Sequence, residues 1–204
     1  MKNDYLKYFK SNILIGLIVF TTTGLLGIKI HWGIPLATVA INTAIIKIIS
    51  TRLWSKKWIN WMFWVDDLSG RYEGTLKYQF IKDGKDISGT RKHVKIITQT
   101  GFRLVVTSFT LAEDGTQSSP STNTGMHIQK TQDNKHFELI YNYLNSGNTI
   151  KGFQPHYGTD HLKIISGQKG DHRLSGNYFT DRNPQTRGTY IDLKKTSNYL
   201  YHEF

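Results

Sequence analysis

Residues Ile13 to Ile28 read ILIGLIVFTTTGLLGI, and Ile34 to Ile49 read IPLATVAINTAIIKII. The first run is uncharged, and the second carries only Lys47. Between them lie Lys29, Ile30, His31, Trp32 and Gly33. A spanning helix needs about 20 mostly apolar residues, with a range of about 17–25. Each uncharged run is slightly short, but the flanks extend it. Phe9 continues the first helix outward, and Lys29 and Lys47 sit near helix ends, where a long stem lets the ammonium reach the headgroups. Gly33 and Pro35 permit a tight reversal. The stretch reads as a transmembrane helical hairpin over residues 1–50, with helices at about 9–30 and 34–50.

Two other readings of these runs carry less weight. A cleaved signal peptide is suggested by Lys2, Lys7 and Lys10 ahead of the first run. Its apolar core is longer than a typical signal segment, no small-x-small cleavage site follows, and a second apolar run comes at once. A pair of core helices in a soluble protein would need a large helical body around it, and the rest of the chain reads as strands. Orientation follows from the basic flanks. Lys2, Lys7 and Lys10 precede the hairpin, Arg52, Lys56 and Lys57 follow it, and the turn holds only Lys29. Both termini are therefore expected in the cytoplasm. Trp32 marks the outer interface, and Trp54, Trp58, Trp61 and Trp64 the inner one, as in an aromatic belt.

The full sequence has 204 residues and a net charge of +11, which suits an anionic leaflet or an anionic ligand. It has no cysteine, so disulfide and thiol chemistry are excluded. A hairpin of about 50 residues and a linker over 51–67 leave roughly 140 for one soluble domain. Residues 51–67 (TRLWSKKWINWMFWVDD) place Trp54, Trp58, Trp61 and Val65 on one helical face. They are expected to form a Trp-rich linker helix, lying on the bilayer or packed on the soluble domain.

From Leu68 the periodicity becomes two. Tyr72, Gly74, Leu76, Tyr78 and Phe80 share one face of the first strand, and Asp83-Gly84 is a turn signal. Further strands are expected at about 92–99, 102–111, 125–130, 136–144, 160–165, 172–180 and 187–194. Thr116 to Thr124 reads as a loop or a distorted edge strand. Eight short strands without helical pattern between them argue for an antiparallel barrel or sandwich. The fold class expected is a membrane-anchored all-β protein, with a two-helix transmembrane hairpin followed by a small antiparallel eight-stranded β-barrel over residues 68–204. Such a barrel is wide enough to fill with side chains or to hold one small ligand.

No catalytic motif is present, so no enzymatic activity, cofactor or metal is expected. His156 and His161 point to opposite faces of one strand, which disfavours a metal pair. Ser118 and Ser119 have no base nearby in sequence. The inward registers are more informative. Tyr72 and Tyr78 lie on the apolar face of the first strand, Tyr141 and Tyr143 beside Leu139, and Tyr178 and Thr180 beside Leu174 and Gly176. Arg187 and Thr189 share a face with Ile191 and Leu193. Each could be an ordinary core group satisfied by its neighbours. Together, aromatics that stack on bases and arginines that fork onto phosphate make a nucleotide pocket. In the hairpin, Thr23 and Gly27 are four apart, as are Ala40 and Ala44, a spacing that lets helices approach closely. Asn42 sits at mid-membrane depth, where a polar group favours a bundle interior.

The opening L-S-G-x-Y-x-G (Leu68 to Gly74), the segment H-Y-G-T-D-H-L-K-I (His156 to Ile164) and the ending L-x-G-x-Y-x-T-D with T-R-G-x-Y-I-x-L (Leu174 to Leu193) carry a likeness. With two N-terminal membrane helices and a Trp-rich exit, the chain resembles the two-helix transmembrane β-barrel effectors of bacterial CBASS anti-phage defence. That resemblance implies a barrel that senses a cyclic di- or oligonucleotide, and a homo-oligomer that disrupts the inner membrane and kills the infected cell. A related layout belongs to effectors that a cyclic nucleotide restrains, so the sign of the response stays open. The ligand site expected from the inward registers has Tyr72, Tyr141 and Tyr178 at the bases and Arg182 and Arg187 at phosphate. Thr180 and Thr186 are supplementary donors. Hairpins are expected to associate through Thr23, Gly27, Ala40 and Ala44, with Asn42 in the assembled lesion. The expected partners are the cyclic nucleotide, the lipid bilayer and further copies of the chain, with no nucleic acid polymer. The alternative is a tethered carrier of an apolar small molecule with a passive anchor and a dry lumen.

Overall fold

The computed structural model describes residues 6–33, 37–111, 115–116, 119–148, 152–167 and 171–201. The reversal expected at Pro35, the Lys2 end of the basic flank and Ser118 lie outside the described residues. The chain divides into two compact units, residues 2–67 with 99–104, and residues 68–98 with 105–204.

In the first unit, α1 spans Ser11–Trp32. Its 22 residues extend roughly 33 Å at about 1.5 Å per residue, enough to cross a hydrocarbon core of about 30 Å. It ends where Gly33 takes a left-handed φ of 67° and its N–H turns back to the Lys29 carbonyl. α2 spans Thr38–Ile48 and runs into a π-helical turn, Ile49–Leu53. Among the described helices only α1 is long and apolar enough to cross a membrane, and a second span is not shown. The two helices are nonetheless joined. Asn42 Nδ2 donates to Thr22 Oγ1 at 2.9 Å, and Thr21 Oγ1 donates to Asn42 Oδ1. Asn42 is thus hydrogen-bonded to α1 of its own chain. An amide in apolar surroundings must find partners, and the nearest are one helix away. Thr23, Gly27, Ala40 and Ala44 are exposed.

Residues 51–67 are not the continuous helix expected. The π-helical turn gives way to turns and a short 3-10 segment, Asn60–Met62. The physical reason is a competing pairing with the N-terminal flank. Lys10 N–H donates to the Met62 carbonyl, Trp64 N–H donates to the Tyr8 carbonyl, and Phe9 and Phe63 form a bridge. This draws Phe63 into extended backbone. Trp54 is therefore buried while Trp58 and Trp61 are exposed, so the four-residue stripe does not form one face.

The second unit is a closed antiparallel barrel in chain order. Its strands are β1 Gly70–Lys82, β2 Lys85–Gln99, β3 Leu104–Thr110, β4 Ser121–Lys130, β5 Phe137–Asn145, β6 His156–Ser166, β7 His172–Thr180 and β8 Arg187–Ser197. β1 pairs with β8 to close it. The sandwich alternative is thereby removed. Asp83 and Gly84 both take positive φ, 51° and 72°, the two-residue hairpin turn that matches strand twist. Three strands are longer than their apolar runs. β2 starts at Lys85 directly after that turn, β4 takes in Ser121 to Thr124 from the expected loop, and β6 starts at His156.

Inward side chains divide the barrel into layers along its axis. At one end Tyr72, Ile97, Leu139, Leu162, Leu174 and Leu193 are all 0% exposed and fill the lumen. A polar layer follows, and beyond it the lumen is open. Two local devices shape the walls. A bulge in β8 at Ile191 and Asp192, where Asp192 has φ 48°, shifts the register against both β1 and β7. Gly74 faces that bulge, where a Cβ would lie 2.9 Å from the Asp192 and Ile191 carbonyl oxygens. On β6, a Cβ at Gly158 would lie 2.3 Å from the Tyr143 ring, so glycine there lets the tyrosine lie against the wall.

Candidate binding site in the barrel lumen

The polar layer is built on Lys95 of β2 and Asp160 of β6. Lys95 Nζ lies 2.7 Å from Asp160 Oδ2, with side-chain exposures of 1% and 2%. Lys95 also donates to Ser108 Oγ and to Tyr141 Oη, both at 3.0 Å. The Tyr190 hydroxyl donates to Asp160 Oδ1 at 2.9 Å, while its ring lies under the ammonium at 4.0 Å. Each charge therefore has an opposite charge and further hydrogen bonds, the condition under which a buried pair is tolerated. Burial lowers the Lys95 pKa, and Asp160 works against that shift. Burial and the Asp160 charge raise the Tyr141 and Tyr190 pKa values well above the usual phenol, so both act as neutral donors. His93, one inward position from Lys95, holds Thr110 Oγ1 at 2.9 Å through Nδ1, and its Nε2 is buried without a partner. Burial, then the Lys95 charge, hold its pKa well below 6.5, which keeps the imidazole neutral.

Above this layer opens a cavity of about 370 Å³. Asp160, His93 and Tyr190 contribute to its lining, with Tyr143 and Tyr178 on the walls. Burial raises the pKa of both Tyr143 and Tyr178, so each presents a protonated hydroxyl. Two guanidiniums line the same cavity. Arg91 lies over the Tyr78 ring at 5.3 Å, and Arg182 donates through Nε to Thr186 Oγ1 at 2.9 Å. The charges of Arg182 and Arg91 oppose the rise that burial causes in the Tyr178 pKa. Lys95 and Asp160 neutralise each other, and Arg91 and Arg182 place two guanidiniums on the cavity lining. A carrier of an apolar molecule needs a lumen free of such groups; this one has guanidiniums and a carboxylate on its surface.

Of the site residues expected from sequence, Tyr178, Thr180, Arg182 and Thr186 come together on the cavity. The strand end and following loop are held by Thr180, whose N–H reaches the Thr186 carbonyl and whose Oγ1 accepts the Thr186 N–H. Tyr141 lies in the polar layer below, with its hydroxyl on Lys95. Tyr72 is deeper, 0% exposed, with its hydroxyl donating to the Leu68 carbonyl at 2.8 Å. Neither Tyr72 nor Tyr141 is on the cavity lining. Arg187 is exposed on the outer wall, paired with Gln79 and Phe179. Its inward reading is corrected. Counting back by twos from Leu193 puts Arg187 inside, but the bulge at Ile191 and Asp192 exchanges the faces, and the inward residues are Gly188 and Tyr190.

The groups that sequence reasoning missed are Lys95, Asp160, His93, Tyr190 and Arg91. Asp160 had a legible signal, since Gly158, Asp160, Leu162 and Ile164 alternate on one face. Lys95 did not, because Val94 and Ile96 are buried on the opposite face at 2% and 1% exposure and form the more apolar register. His156 lines the cavity, and among the described residues no cluster of three or more metal-ligating side chains occurs.

Residues 63–195 match the family model described as Cap15, cyclic dinucleotide receptor domain. The match takes in β1 through β7 and most of β8. No curated protein and no solved structure matches the chain.

Proposed function

The chain belongs to the Cap15 cyclic dinucleotide receptor family of CBASS effectors, and from that premise we propose that the open end of its barrel is the receptor site. The observation that carries this is the pair of guanidiniums, Arg91 and Arg182, on one cavity with Tyr143 and Tyr178. A cyclic dinucleotide has two phosphodiester groups, and guanidinium groups meet phosphate oxygens in charge-assisted, often bidentate, hydrogen bonds. Tyrosine rings offer stacking surfaces to bases. Thr180 and Thr186 fix the loop that carries Arg182. The site binds without transforming its ligand, and it takes no cofactor.

The effector half of the proposal concerns α1 and α2. They form a hairpin in the bacterial inner membrane, with both termini and the barrel cytoplasmic. The length of α1, the Asn42 bonds to Thr21 and Thr22, and the basic flanks at Lys7, Lys10, Arg52, Lys56 and Lys57 support that reading. Ligand binding controls association of neighbouring hairpins through the exposed small residues Thr23, Gly27, Ala40 and Ala44, and the assembly disrupts the membrane.

Calorimetry on the detergent-solubilised chain with a panel of cyclic dinucleotides tests the receptor. Induced expression with a membrane-permeability dye, with and without those nucleotides, tests the effector and reads the sign of the response. Binding of a cyclic dinucleotide together with ligand-controlled dye entry is the expected result. If no cyclic nucleotide binds, the receptor reading is wrong; if the chain fractionates with soluble protein, the membrane reading is wrong.

A further inference from the structure

We propose that the segment Tyr199-Leu200-Tyr201, just after β8, is a second membrane contact, which seats the barrel on the lipid headgroup region. The proposal rests on the membrane reading of α1 above. Two aromatic side chains and one aliphatic stand in a row at 70%, 40% and 66% exposure. The tyrosine rings stack on each other at 5.6 Å. The backbone beneath them is fixed. Arg71, itself only 8% exposed, donates through Nη1 to the Tyr201 carbonyl at 2.9 Å. Thr196 Oγ1 donates to the Arg71 carbonyl, and the Tyr199 N–H donates to Ser197 Oγ. The segment is thus held in place while its apolar groups stay uncovered.

Connectivity and chemistry together name the occupant. Arg71 near the start of β1 pairs with Ser197 at the end of β8, so the segment stands at the barrel end where the chain enters. Only Leu68 and Ser69 separate β1 from the linker that follows the membrane anchor. The cavity opens toward the other end of β1, past Tyr78 and Phe80, so a surface seated on the segment leaves the ligand site free. Tyrosine suits a bilayer interface, because its ring is apolar and its hydroxyl stays among water and headgroups. Leu200 between the rings supplies the part that enters the acyl boundary. Beside the segment, Arg173 and Lys194 share the Asp192 carboxylate. Those three groups carry a net positive charge, the sign that anionic headgroups attract. With α1 already holding the chain at the bilayer, the contact forms at high local concentration, and a small surface suffices.

The test uses the absence of native cysteine, which makes single-site labelling clean. Asn198→Cys, Ile81→Cys and Phe20→Cys variants of the full chain are each labelled with an environment-sensitive fluorophore. They are then reconstituted into vesicles of phosphatidylethanolamine and phosphatidylglycerol. Asn198 is exposed beside the segment and leaves its three residues intact. Ile81 is 60% exposed at the far end of β1, and Phe20 is 79% exposed on α1. Nitroxide-bearing lipid is expected to quench the label at position 198 at least about twofold more than the label at 81, with aqueous iodide doing the reverse. Adding Tyr199→Ser, Leu200→Ser and Tyr201→Ser, all surface changes, is expected to bring the label at 198 to the level of the one at 81. A label at 198 that matches the one at 81 from the start overturns the proposal and leaves the membrane reading intact. So does a label shielded from iodide but not reached by nitroxide lipid, which assigns the segment to a second copy of the chain. Lipid quenching that survives the three serines also overturns it. A label at position 20 open to iodide and untouched by nitroxide lipid defeats the membrane reading itself, and the proposal with it.

Discussion

Lys95 and Asp160, 65 residues apart in sequence, meet at 2.7 Å in the middle of the barrel and separate a packed half from an open one. Below this pair the lumen is packed, chiefly by leucine with Tyr72 and Ile97. Above it the cavity is lined by tyrosine, threonine, serine and arginine together with apolar groups such as Leu76 and Phe80. The pair is thus both a structural joint across β2 and β6 and the floor of the site.

Removing one partner leaves the other charged and buried. Lys95→Met is expected to destabilise the barrel by about 3–5 kcal/mol, the usual cost of breaking a buried pair, whereas Lys95→Met/Asp160→Leu should recover most of that loss. Denaturant unfolding of the solubilised chain, followed by tryptophan or tyrosine emission, measures both. A double variant no more stable than the single would show that the network is held by something other than the charge pair.

The arginines divide by the wall they stand on. Arg91→Ala and Arg182→Ala each remove a charge-assisted contact of about 1.5–3 kcal/mol, a loss of roughly 10- to 150-fold in affinity. Arg187→Ala, on the outer wall, is expected to leave affinity unchanged within error. Titration at two salt concentrations adds a second readout, since loss of a lumen arginine should flatten the salt dependence and loss of Arg187 should not.

His93 makes stability depend on pH with a defined sign. Its folded pKa lies well below 6.5, because burial and the neighbouring Lys95 charge oppose protonation. In acid the unfolded state therefore binds the proton first, and unfolding is favoured as pH falls. The contribution is fully present above about 6.5 and is lost progressively as pH falls from there toward the depressed folded value. Melting temperatures from pH 7.5 down to 5 should decline in the wild type and decline less in His93→Gln. Equal slopes in the two proteins would assign the acid sensitivity to other groups.

How much of this was legible in the sequence varies with how local the cause is. The apolar run of α1, the Asp83-Gly84 turn and the alternation of Tyr72, Leu76 and Tyr78 are local patterns, and each stands where its period puts it. The loop that carries Arg182 also follows from short-range chemistry, through Thr180 and Thr186. Arg187 failed for a reason no periodicity contains, since one bulge at Asp192 reverses the faces of the strand before it. Lys95 was hidden because both faces of β2 are buried, so the more apolar register pointed the wrong way. Residues 51–67 failed because a flank some 50 residues earlier in the chain competes for their backbone.

The helix pair offers a separation of two roles that the sequence had merged. Asn42 bonds Thr21 and Thr22 of its own chain, whereas Gly27 and Ala44 are exposed. Asn42→Leu removes an interhelical contact within the hairpin, a loss of about 0.6–2 kcal/mol in apolar surroundings. It should loosen α2 against α1 and lower the yield of inserted protein. Gly27→Leu with Ala44→Leu leaves that contact intact but puts bulk on the faces through which copies would approach. The double variant is expected to bind cyclic dinucleotide with unchanged affinity and to lose ligand-controlled dye entry. Retained dye entry would show that the hairpins do not associate through these faces, and lost affinity would show that the substitutions act on folding instead.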